Sequence, residues 1–494
     1  MSFNSSDGEI TYEKIKERAI KGVAFLTGRN FLLQAITQIS FFLLTIFLSP
    51  SQFGVFFLVS TVINFFAYFS DIGLAAALIQ RKDKVAQDDL KTVFTVQQVL
   101  VLLTIAIIFI LTPFFQNWYK LSQEGVYLIW ALAISLLFSS LKTIPTVLLE
   151  RQLSFGKSVL PQIVETIAFY ATAVVLAFKG FGVTSFTVAV LLRGISGLLS
   201  IYLIQPWQPG FAISKKSLQS LLRFGVPYQL NTFLALVKDD GLIMFLGGVL
   251  GTSGMGFLGW AQKWGFAPLR FFMDQIIKVT FPAFSRLQHD KEKLSNAVSK
   301  SILFVSLMVF PSVVGLVVLA PLLTTVIPKY EKWQPALVAL SLFGFNAMWA
   351  AVTTPLTNTL NAIGKIQLTF RLMMMWTILT WVFIPLLAIN YGINGAALGF
   401  ALVGLSSVIA IAVALKYVEI DLTKSVIKPL ISSLVMGIVL FYVSSMLSPT
   451  LLSVFILLAL GIVIYILQIL LFLRDEVAQG LRQLINIIKV KEVS

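Results

Sequence analysis

Long, continuously apolar runs recur through the whole chain, and they constrain its fold more than any other feature. A helix needs about 20 predominantly apolar residues to cross a bilayer, and the 494-residue sequence holds about fourteen such runs. Strands of a membrane barrel would alternate apolar and polar residues over about ten positions, whereas these runs are longer and uninterrupted. The pattern therefore predicts helical spans 1 to 14, at 22–48, 53–79, 92–115, 125–149, 158–178, 183–204, 224–249, 254–280, 299–325, 334–360, 366–389, 393–416, 428–447 and 451–473.

The composition agrees with a membrane protein and excludes several chemistries. Hydrophobic residues make up 57% of the chain, against roughly 45–50% in soluble domains. There is no cysteine, so a disulfide framework, a thiolate metal site and a thiol nucleophile are excluded. The single histidine, His289, lies in a charged loop, where we expect it to be solvated.

Basic residues are distributed unevenly between the two sides of the predicted bundle. With the N-terminus placed inside, the inner segments hold 26 Lys and Arg residues and the outer loops hold 4. This bias follows the positive-inside rule and predicts that both termini are cytoplasmic. The net charge of +15 would also suit a nucleic-acid partner, but no Lys/Arg-rich arm occurs, so we expect the lipid bilayer as partner and no nucleic acid.

The chain divides by composition into six segments. Shifting the sequence by 202 residues places Leu48, Ser51 and Gly54 on Leu250, Ser253 and Gly256, a weak echo that suggests two parallel repeats. We predict a cytoplasmic amphipathic lead-in at 1–21, an N-lobe of six spans at 22–204, a cytoplasmic linker at 205–223, a C-lobe of six spans at 224–416, two added spans at 428–473 and an amphipathic tail at 474–494.

Three stretches near the N-terminus carry a family resemblance. KGVAFLTGRN enters span 1, LSPSQFGVFFL joins spans 1 and 2, and SDIGLAAALIQRKD ends span 2. Together with PAFSRLQHD after span 8, they resemble Wzx-type polysaccharide flippases of the multidrug/oligosaccharidyl-lipid/polysaccharide exporter superfamily. The resemblance implies an all-α polytopic fold in the bacterial inner membrane, with two six-helix lobes around a central cavity lined by spans 1, 2, 7 and 8.

The same resemblance implies a function. Such proteins move an undecaprenyl-diphosphate-linked oligosaccharide to the outer leaflet by alternating access, and they are generally thought to be ion-coupled. Association with a polysaccharide polymerase also follows as an expectation. No G-x-x-x-x-G-K-[ST] loop occurs, and we predict neither an enzyme nor a cofactor, with the coupling ion left open between H⁺ and Na⁺.

Two other functions stay open at this point. A multidrug exporter of the same superfamily would favour acidic residues in its cavity, whereas basic residues dominate span 8. A membrane glycosyltransferase or polymerase acting on the same lipid would need a sizeable outer loop, and the predicted outer loops, such as SPSQ at 49–52, are short. A non-transporting scaffold is disfavoured by the cost of its buried charges.

Charged residues within the spans are the candidate site residues, because each costs about 2.5–3.5 kcal/mol at a helix centre on insertion scales. In span 8, Lys263, Arg270, Asp274 and Lys278 are spaced by 7, 4 and 4 residues and fall within an arc of roughly 80°. A cationic face suits a diphosphate, and we predict that Lys263 and Arg270 bind substrate. Alternatively, Arg270 pairs with Asp274 along the helix, and Lys278 reaches to the inner interface.

Spans 1 and 2 supply a second group. Span 1 carries Asn30 and Gln34 on one face with Thr37 and Gln38, and this face either binds neighbouring helices or lines a cavity for sugar hydroxyls. Arg29 and Asp71 are predicted at similar depth, so they could form a pair. We predict Arg29, Asn30 and Gln34 as substrate-binding residues and Asp71 as an ion-coupling residue.

Spans 6 and 7 supply the remaining candidates. Lys238, Asp239 and Asp240 are consecutive and cannot all point the same way. We predict that Lys238 binds substrate and that Asp239 or Asp240 couples transport to an ion, with simple pairing to Lys238 as the alternative. Arg193, near the middle of span 6, is a further predicted substrate-binding residue.

Overall fold

The computed structural model describes residues 32–71, 73–80, 85–152, 154–215, 217–219, 223, 229 and 233–474. Within these ranges every regular element is a helix. The chain forms two compact units, Met1–Gly256 and Phe257–Ser494. The predicted lead-in at 1–21 and the predicted tail, apart from its first residue, lie outside the described residues, and the predicted lobe boundaries stay a prediction.

The first unit contains seven helices and the start of an eighth. They are α1 (Leu32–Phe47), α2 (Pro50–Ala67), α3 (Leu74–Gln80), α4 (Gln87–Tyr119), α5 (Gln123–Arg151), α6 (Phe155–Phe178), α7 (Thr184–Ile204) and α8 (Leu242–Leu287), which continues into the second unit. A 3₁₀ turn at Tyr68–Ser70 follows α2, and a π-helical turn at Val237–Gly241 precedes α8.

The second unit contains the rest of α8 and six further helices. They are α9 (Lys291–Val326), α10 (Leu337–Ala362), α11 (Ile366–Leu405), α12 (Ser407–Ala414), α13 (Lys428–Met446) and α14 (Leu451–Phe472). Its main apolar core joins α8, α9 and α10 through residues such as Met273, Val305 and Ala351.

Eleven helices among the described residues are long and apolar enough to cross a membrane, so the chain is a multi-pass membrane protein. Two of them, Phe233–Lys278 with 46 residues and Ile366–Ala414 with 49, would be about 70 Å long if straight, against a hydrocarbon core of about 30 Å. Each turns at a glycine of positive φ, Gly251 at 65° and Gly392 at 60°. The all-helical prediction is confirmed, whereas the number fourteen stays a prediction.

The LSPSQFG stretch contains the residues that start α2. Ser49 caps α2, and its hydroxyl accepts a hydrogen bond from the Gln52 amide at 3.3 Å. The Gln52 side chain returns the interaction by accepting from the Ser49 amide at 2.9 Å, and Pro50 occupies the first turn. This capping box satisfies amides that a helix start leaves unpaired, and it fixes the tight turn between α1 and α2.

The two turns of the sequence echo contact each other within the first unit. The Ser51 and Thr252 hydroxyls lie 2.9 Å apart. A Cβ atom on Gly54 would overlap the carbonyl oxygen of Thr252, and one on Gly256 would overlap that of Pro50. Glycine is therefore needed at both positions, because the two backbones approach more closely than any side chain allows.

The chain after α7 runs along α4 instead of extending freely. The Thr95 hydroxyl accepts a hydrogen bond from the Ala212 amide at 3.1 Å, and the Thr92 hydroxyl accepts one from Ser214 at 3.1 Å. Trp207 packs edge-on against Phe94, with ring centroids 5.1 Å apart. These contacts order the beginning of the segment that the sequence predicts as a linker.

An exposed pair ties the start of α9 to the segment after α12. Lys291 donates a hydrogen bond to the Glu419 carboxylate at 2.8 Å, and the Glu419 amide donates to the Ser295 hydroxyl at 2.9 Å. The Lys291 ammonium holds the pKa of the Glu419 carboxyl below its ordinary value.

Candidate functional site

The charged face predicted in span 8 is present on α8 and is turned away from the core of its unit. Lys263, Arg270, Asp274 and Lys278 are all exposed, whereas Leu269 and Met273 of the opposite face are buried in the core shared with α9 and α10. Lipid cannot solvate a charged face at membrane depth, so it must face water or a polar ligand. This part of α8 can therefore line an aqueous path.

Arg270 does not form an ion pair with Asp274, its neighbour one turn along the helix. None of the ion pairs among the described residues joins Arg270 to Asp274, although the spacing allows it. The structure therefore does not adopt the alternative in which these two residues neutralise each other, and the guanidinium remains exposed.

Span 1 is described only from Leu32 onwards. Arg29 and Asn30 lie outside the described residues, so their predicted role and the predicted Arg29–Asp71 pair stay predictions. Gln34 lies half-buried on α1, and Thr37, on the same predicted polar face, lies near the Tyr170 hydroxyl of α6. Part of the polar face of α1 is therefore directed toward α6.

Asp71 lies at a break in the second span. The backbone is extended at Asp71 after the 3₁₀ turn, and the Asp71 carboxylate accepts a hydrogen bond from the Leu74 amide at 3.1 Å. Asp71 thus caps the start of α3, which gives the Asp-x-Gly-Leu motif a structural role. Its predicted role in ion coupling is a separate matter and stays a prediction.

Two substitutions separate these roles of Asp71. We expect Asp71→Ala to lower the free energy of unfolding by about 1 kcal/mol, because the cap is lost. Asp71→Asn should keep the cap and the unfolding temperature, because an amide oxygen also accepts the Leu74 hydrogen bond. Thermal unfolding of the purified variants measures both effects. If Asp71→Asn is as unstable as Asp71→Ala, the capping role is wrong; if it is stable but does not transport, Asp71 has a role beyond the cap.

The three consecutive charges in span 7 fall in the π-helical turn at Val237–Gly241. The Lys238 ammonium lies 3.0 Å from the Asp239 carboxylate, and the Lys238 side chain is 26% exposed against 65% for Asp239. The structure therefore shows the pairing that the sequence left as an alternative. π-helical turns are frequent at functional sites, and roles for Lys238, Asp239 and Asp240 in transport stay predictions.

A cluster of three charges joins three helices of the first unit, and we call it the triad: Lys142 of α5, Glu165 of α6 and Arg193 of α7. The Lys142 ammonium lies 2.6 Å from Glu165 Oε1, and the two side chains are 17% and 14% exposed. Arg193 Nε lies 3.8 Å from Glu165 Oε2, and the Arg193 side chain is 56% exposed. Two cations thus share one carboxylate, and the triad has a net charge of +1.

Glycine on α7 makes room for the carboxylate. A Cβ atom on Gly197 would overlap the Glu165 carboxylate, so the helices α6 and α7 approach closely where the charges meet. Small residues allow such close helix packing in membranes. The guanidinium of Arg193 lies 5.9 Å from the ring centroid of Phe169, a distance typical of a cation–π contact.

Of the triad, only Arg193 is a predicted site residue, and the sequence does not predict that the three charges meet. A usable signal was present, since each lies seven or more residues inside one of three consecutive predicted spans, and antiparallel neighbours bring such positions to a similar depth. The glycine pair of RGISG at 193–197 is a second signal, because it indicates a close helix contact beside Arg193.

The second unit also holds an apolar cavity of about 460 Å³ between α9, α13 and α14. Its lining is apolar apart from Ser312 and Tyr465, and the Tyr465 hydroxyl donates a hydrogen bond to the Leu307 carbonyl at 3.0 Å. A cavity of this kind can hold a hydrocarbon chain.

Comparison with known proteins agrees with the fold and the resemblance. A family model described as polysaccharide biosynthesis protein matches residues 43–338. The chain is 24% identical over 396 residues to the lipopolysaccharide biosynthesis protein WzxC of Escherichia coli, covering 79% of each chain. It is 23% identical to the succinoglycan biosynthesis transport protein ExoT of Rhizobium meliloti, with 61% of this chain aligned to 58% of that protein.

A third relative is the teichuronic acid biosynthesis protein TuaB of Bacillus subtilis, 23% identical with 61% of this chain aligned to 62% of that protein. The chain thus spans somewhat less than two thirds of the length of ExoT and TuaB.

Solved structures support the fold. The lipid II flippase MurJ, in an inward closed conformation, matches with a TM-score of 0.75 at 15% identity, covering 92% of this chain and 100% of that one. A multidrug resistance MATE family transporter of the MOP superfamily, inward-facing, matches with a TM-score of 0.56 at 19% identity, covering 77% and 93%. The predicted polytopic helical fold is confirmed as the fold that these two structures have.

Proposed function

Because the chain belongs to the polysaccharide biosynthesis protein family, we propose that it is a flippase that moves a diphosphate-lipid-linked oligosaccharide across the bacterial inner membrane by alternating access. The exposed charged face of α8, with Arg270 unpaired by Asp274, is the observation that carries this proposal. A diphosphate needs several cations, and a guanidinium fork matches phosphate oxygens. The same face disfavours a cationic drug as cargo.

The proposed cargo has three chemically different parts. Within the second unit, the cationic face of α8 suits the diphosphate, and the apolar cavity at α9, α13 and α14 suits a hydrocarbon chain. Gln34 of α1 remains a predicted contact for sugar hydroxyls. The relatives are named for three polymers, succinoglycan, lipopolysaccharide and teichuronic acid. Family membership therefore leaves the glycan open.

Orientation and energy supply are part of the proposal. The predicted inner segments hold 26 basic residues and the outer loops hold 4, and this bias supports cytoplasmic N- and C-termini. We propose a proton or sodium gradient as the driving force, with Asp71, Asp239 or Asp240 as the coupling residue. A carboxylate at membrane depth is costly, and such residues usually mark an ion or substrate pathway. A polymerase that consumes the flipped units is the proposed functional partner.

The flippase proposal predicts a large effect of Arg270→Ala. We expect the purified variant to insert and fold normally, while surface polysaccharide falls about tenfold to a hundredfold, the size expected when a charge-assisted phosphate contact is lost. Lipid-linked oligosaccharide should accumulate on the inner leaflet, where a membrane-impermeant glycan-modifying reagent does not reach it in intact cells.

A matched control is Arg371→Ala, which removes another exposed arginine from a helix of the same unit that we predict to lie at the cytoplasmic surface. We expect it to transport normally. Normal surface polysaccharide with Arg270→Ala would refute the phosphate contact. An unchanged leaflet distribution after depletion of the whole protein would refute the flippase function itself.

A further inference from the structure

The triad has one cation more than a structural ion pair requires. Lys142 and Glu165, 2.6 Å apart and both largely buried, already neutralise each other. Arg193 approaches the same carboxylate only to 3.8 Å, which is beyond hydrogen-bonding distance. Arg193 is therefore only weakly compensated, and such a cation near the middle of a span is expensive and is not needed for the packing of the helices. This cost indicates a ligand for Arg193.

The surroundings of Arg193 orient its guanidinium and leave it accessible. The Phe169 ring lies on one side at 5.9 Å, and the side chain is 56% exposed. Arg193 also lies within electrostatic range of the Tyr170 hydroxyl. The guanidinium is therefore positioned by its aromatic neighbours, while its exposed part stays open to a ligand.

The charge of the triad selects the class of ligand. A net charge of +1 and one accessible guanidinium fork match a monoanion. A diphosphate carries more negative charge and suits the face of α8, where Lys263, Arg270 and Lys278 are all exposed. A carboxylate accepts two parallel hydrogen bonds from an arginine fork, and acidic sugars carry carboxylates.

We propose that the triad is a second binding subsite, in which Arg193 binds the carboxylate of an acidic sugar in the transported glycan while Glu165 and Lys142 hold the subsite together. This inference rests on the proposed flippase function and names the substrate class. Arg193 contacts the ligand directly, and the Lys142–Glu165 pair is a positioning element.

The test uses the purified full-length chain and two synthetic lipids. Both are undecaprenyl diphosphate disaccharides that differ only in the distal sugar, glucuronic acid in one and glucose in the other. We expect equilibrium binding to the uronate lipid to be about tenfold tighter or better, the gain from one charge-assisted interaction. Arg193→Gln should bind both lipids equally, at the affinity that the unmodified chain has for the glucose lipid.

Two further variants test whether the preference for the uronate lipid depends on the arginine fork at position 193. Arg193→Lys keeps the charge but loses the fork, so it should keep only part of the preference. Arg270→Ala should weaken binding of both lipids by a similar factor and leave their ratio unchanged. Monodisperse size-exclusion profiles establish that each variant is folded, and the comparison of the two lipids on the unmodified chain needs no variant.

Three results would overturn the inference while leaving the flippase proposal intact. They are equal binding of the two lipids by the unmodified chain, a preference that persists in Arg193→Gln, and a loss in Arg193→Gln that is the same for both lipids, which would assign Arg193 to the diphosphate. If the folded chain binds neither lipid, the proposed function fails as well.

Discussion

The Gly54→Ala variant is expected to yield little stably folded protein. A Cβ atom at this position would overlap the backbone carbonyl oxygen of Thr252 and lie 2.6 Å from the Gly256 amide nitrogen. Backbone atoms cannot rotate away as a side chain can, so α2 and α8 would have to separate. Overpacking commonly costs about 1–3 kcal/mol and can cost more, and we expect a value at or above the upper end.

Thermal unfolding in detergent measures this effect, and Gly156→Ala provides the control. Gly156 lies in α6, where a Cβ atom would meet nothing within 4 Å, so we expect its unfolding temperature to stay the same or rise. Gly256→Ala should be as harmful as Gly54→Ala, because its Cβ atom would overlap the Pro50 carbonyl. An unfolding temperature of Gly54→Ala equal to that of Gly156→Ala would contradict the close backbone approach.

The helical architecture was predictable because its cause is local. An apolar run long enough to span lipid has to be helical, since only a helix satisfies its own backbone groups there. The turn at Ser49 was also visible, since Ser-Pro-x-Gln has the residues of a capping box. The sequence did not show that two spans are joined at Gly251 and at Gly392 with positive φ, because glycine is permissive but does not dictate a conformation.

The candidate site was predictable to the extent that it lies on a single helix. The face of α8 depends only on helical spacing, so the exposed Lys263 and Arg270 follow directly from their positions. The triad depends on how three helices pack, and spacing within one span contains no information about its neighbours. The pairing of Lys142 with Glu165 was therefore visible only in the structure.

The two charged groups of the molecule differ in how their charges are compensated. On α8, cations are exposed and dominate one face, an arrangement that suits a multiply charged ligand. In the triad, a carboxylate is buried between two cations from different helices. The face of α8 can bind and release a ligand without a change of fold, whereas the triad contributes to the packing of α5, α6 and α7.

The Glu165→Gln variant should therefore be strongly destabilised. Removing one partner of a buried pair leaves an uncompensated charge, which typically costs about 3–5 kcal/mol. Here the charge left uncompensated is that of the largely buried Lys142, because Arg193 lies 3.8 Å from the carboxylate and is 56% exposed. Glutamine has nearly the same shape, so the loss can be attributed to charge. We expect a large fall in unfolding temperature and in the yield of monodisperse protein.

A double variant tests the reason for that loss. Lys142→Met combined with Glu165→Gln removes the buried cation together with the buried anion, and Arg193 is left 56% exposed. We expect the double variant to be more stable than Glu165→Gln alone, since replacing a whole buried pair is often neutral whereas breaking it is not. Glu419→Gln, which removes the carboxylate of an exposed pair, is the matched control and should unfold at the original temperature. If the double variant is no more stable than Glu165→Gln, the carboxylate does not act by neutralising Lys142, and the triad is held together by packing against Gly197 and not by charge.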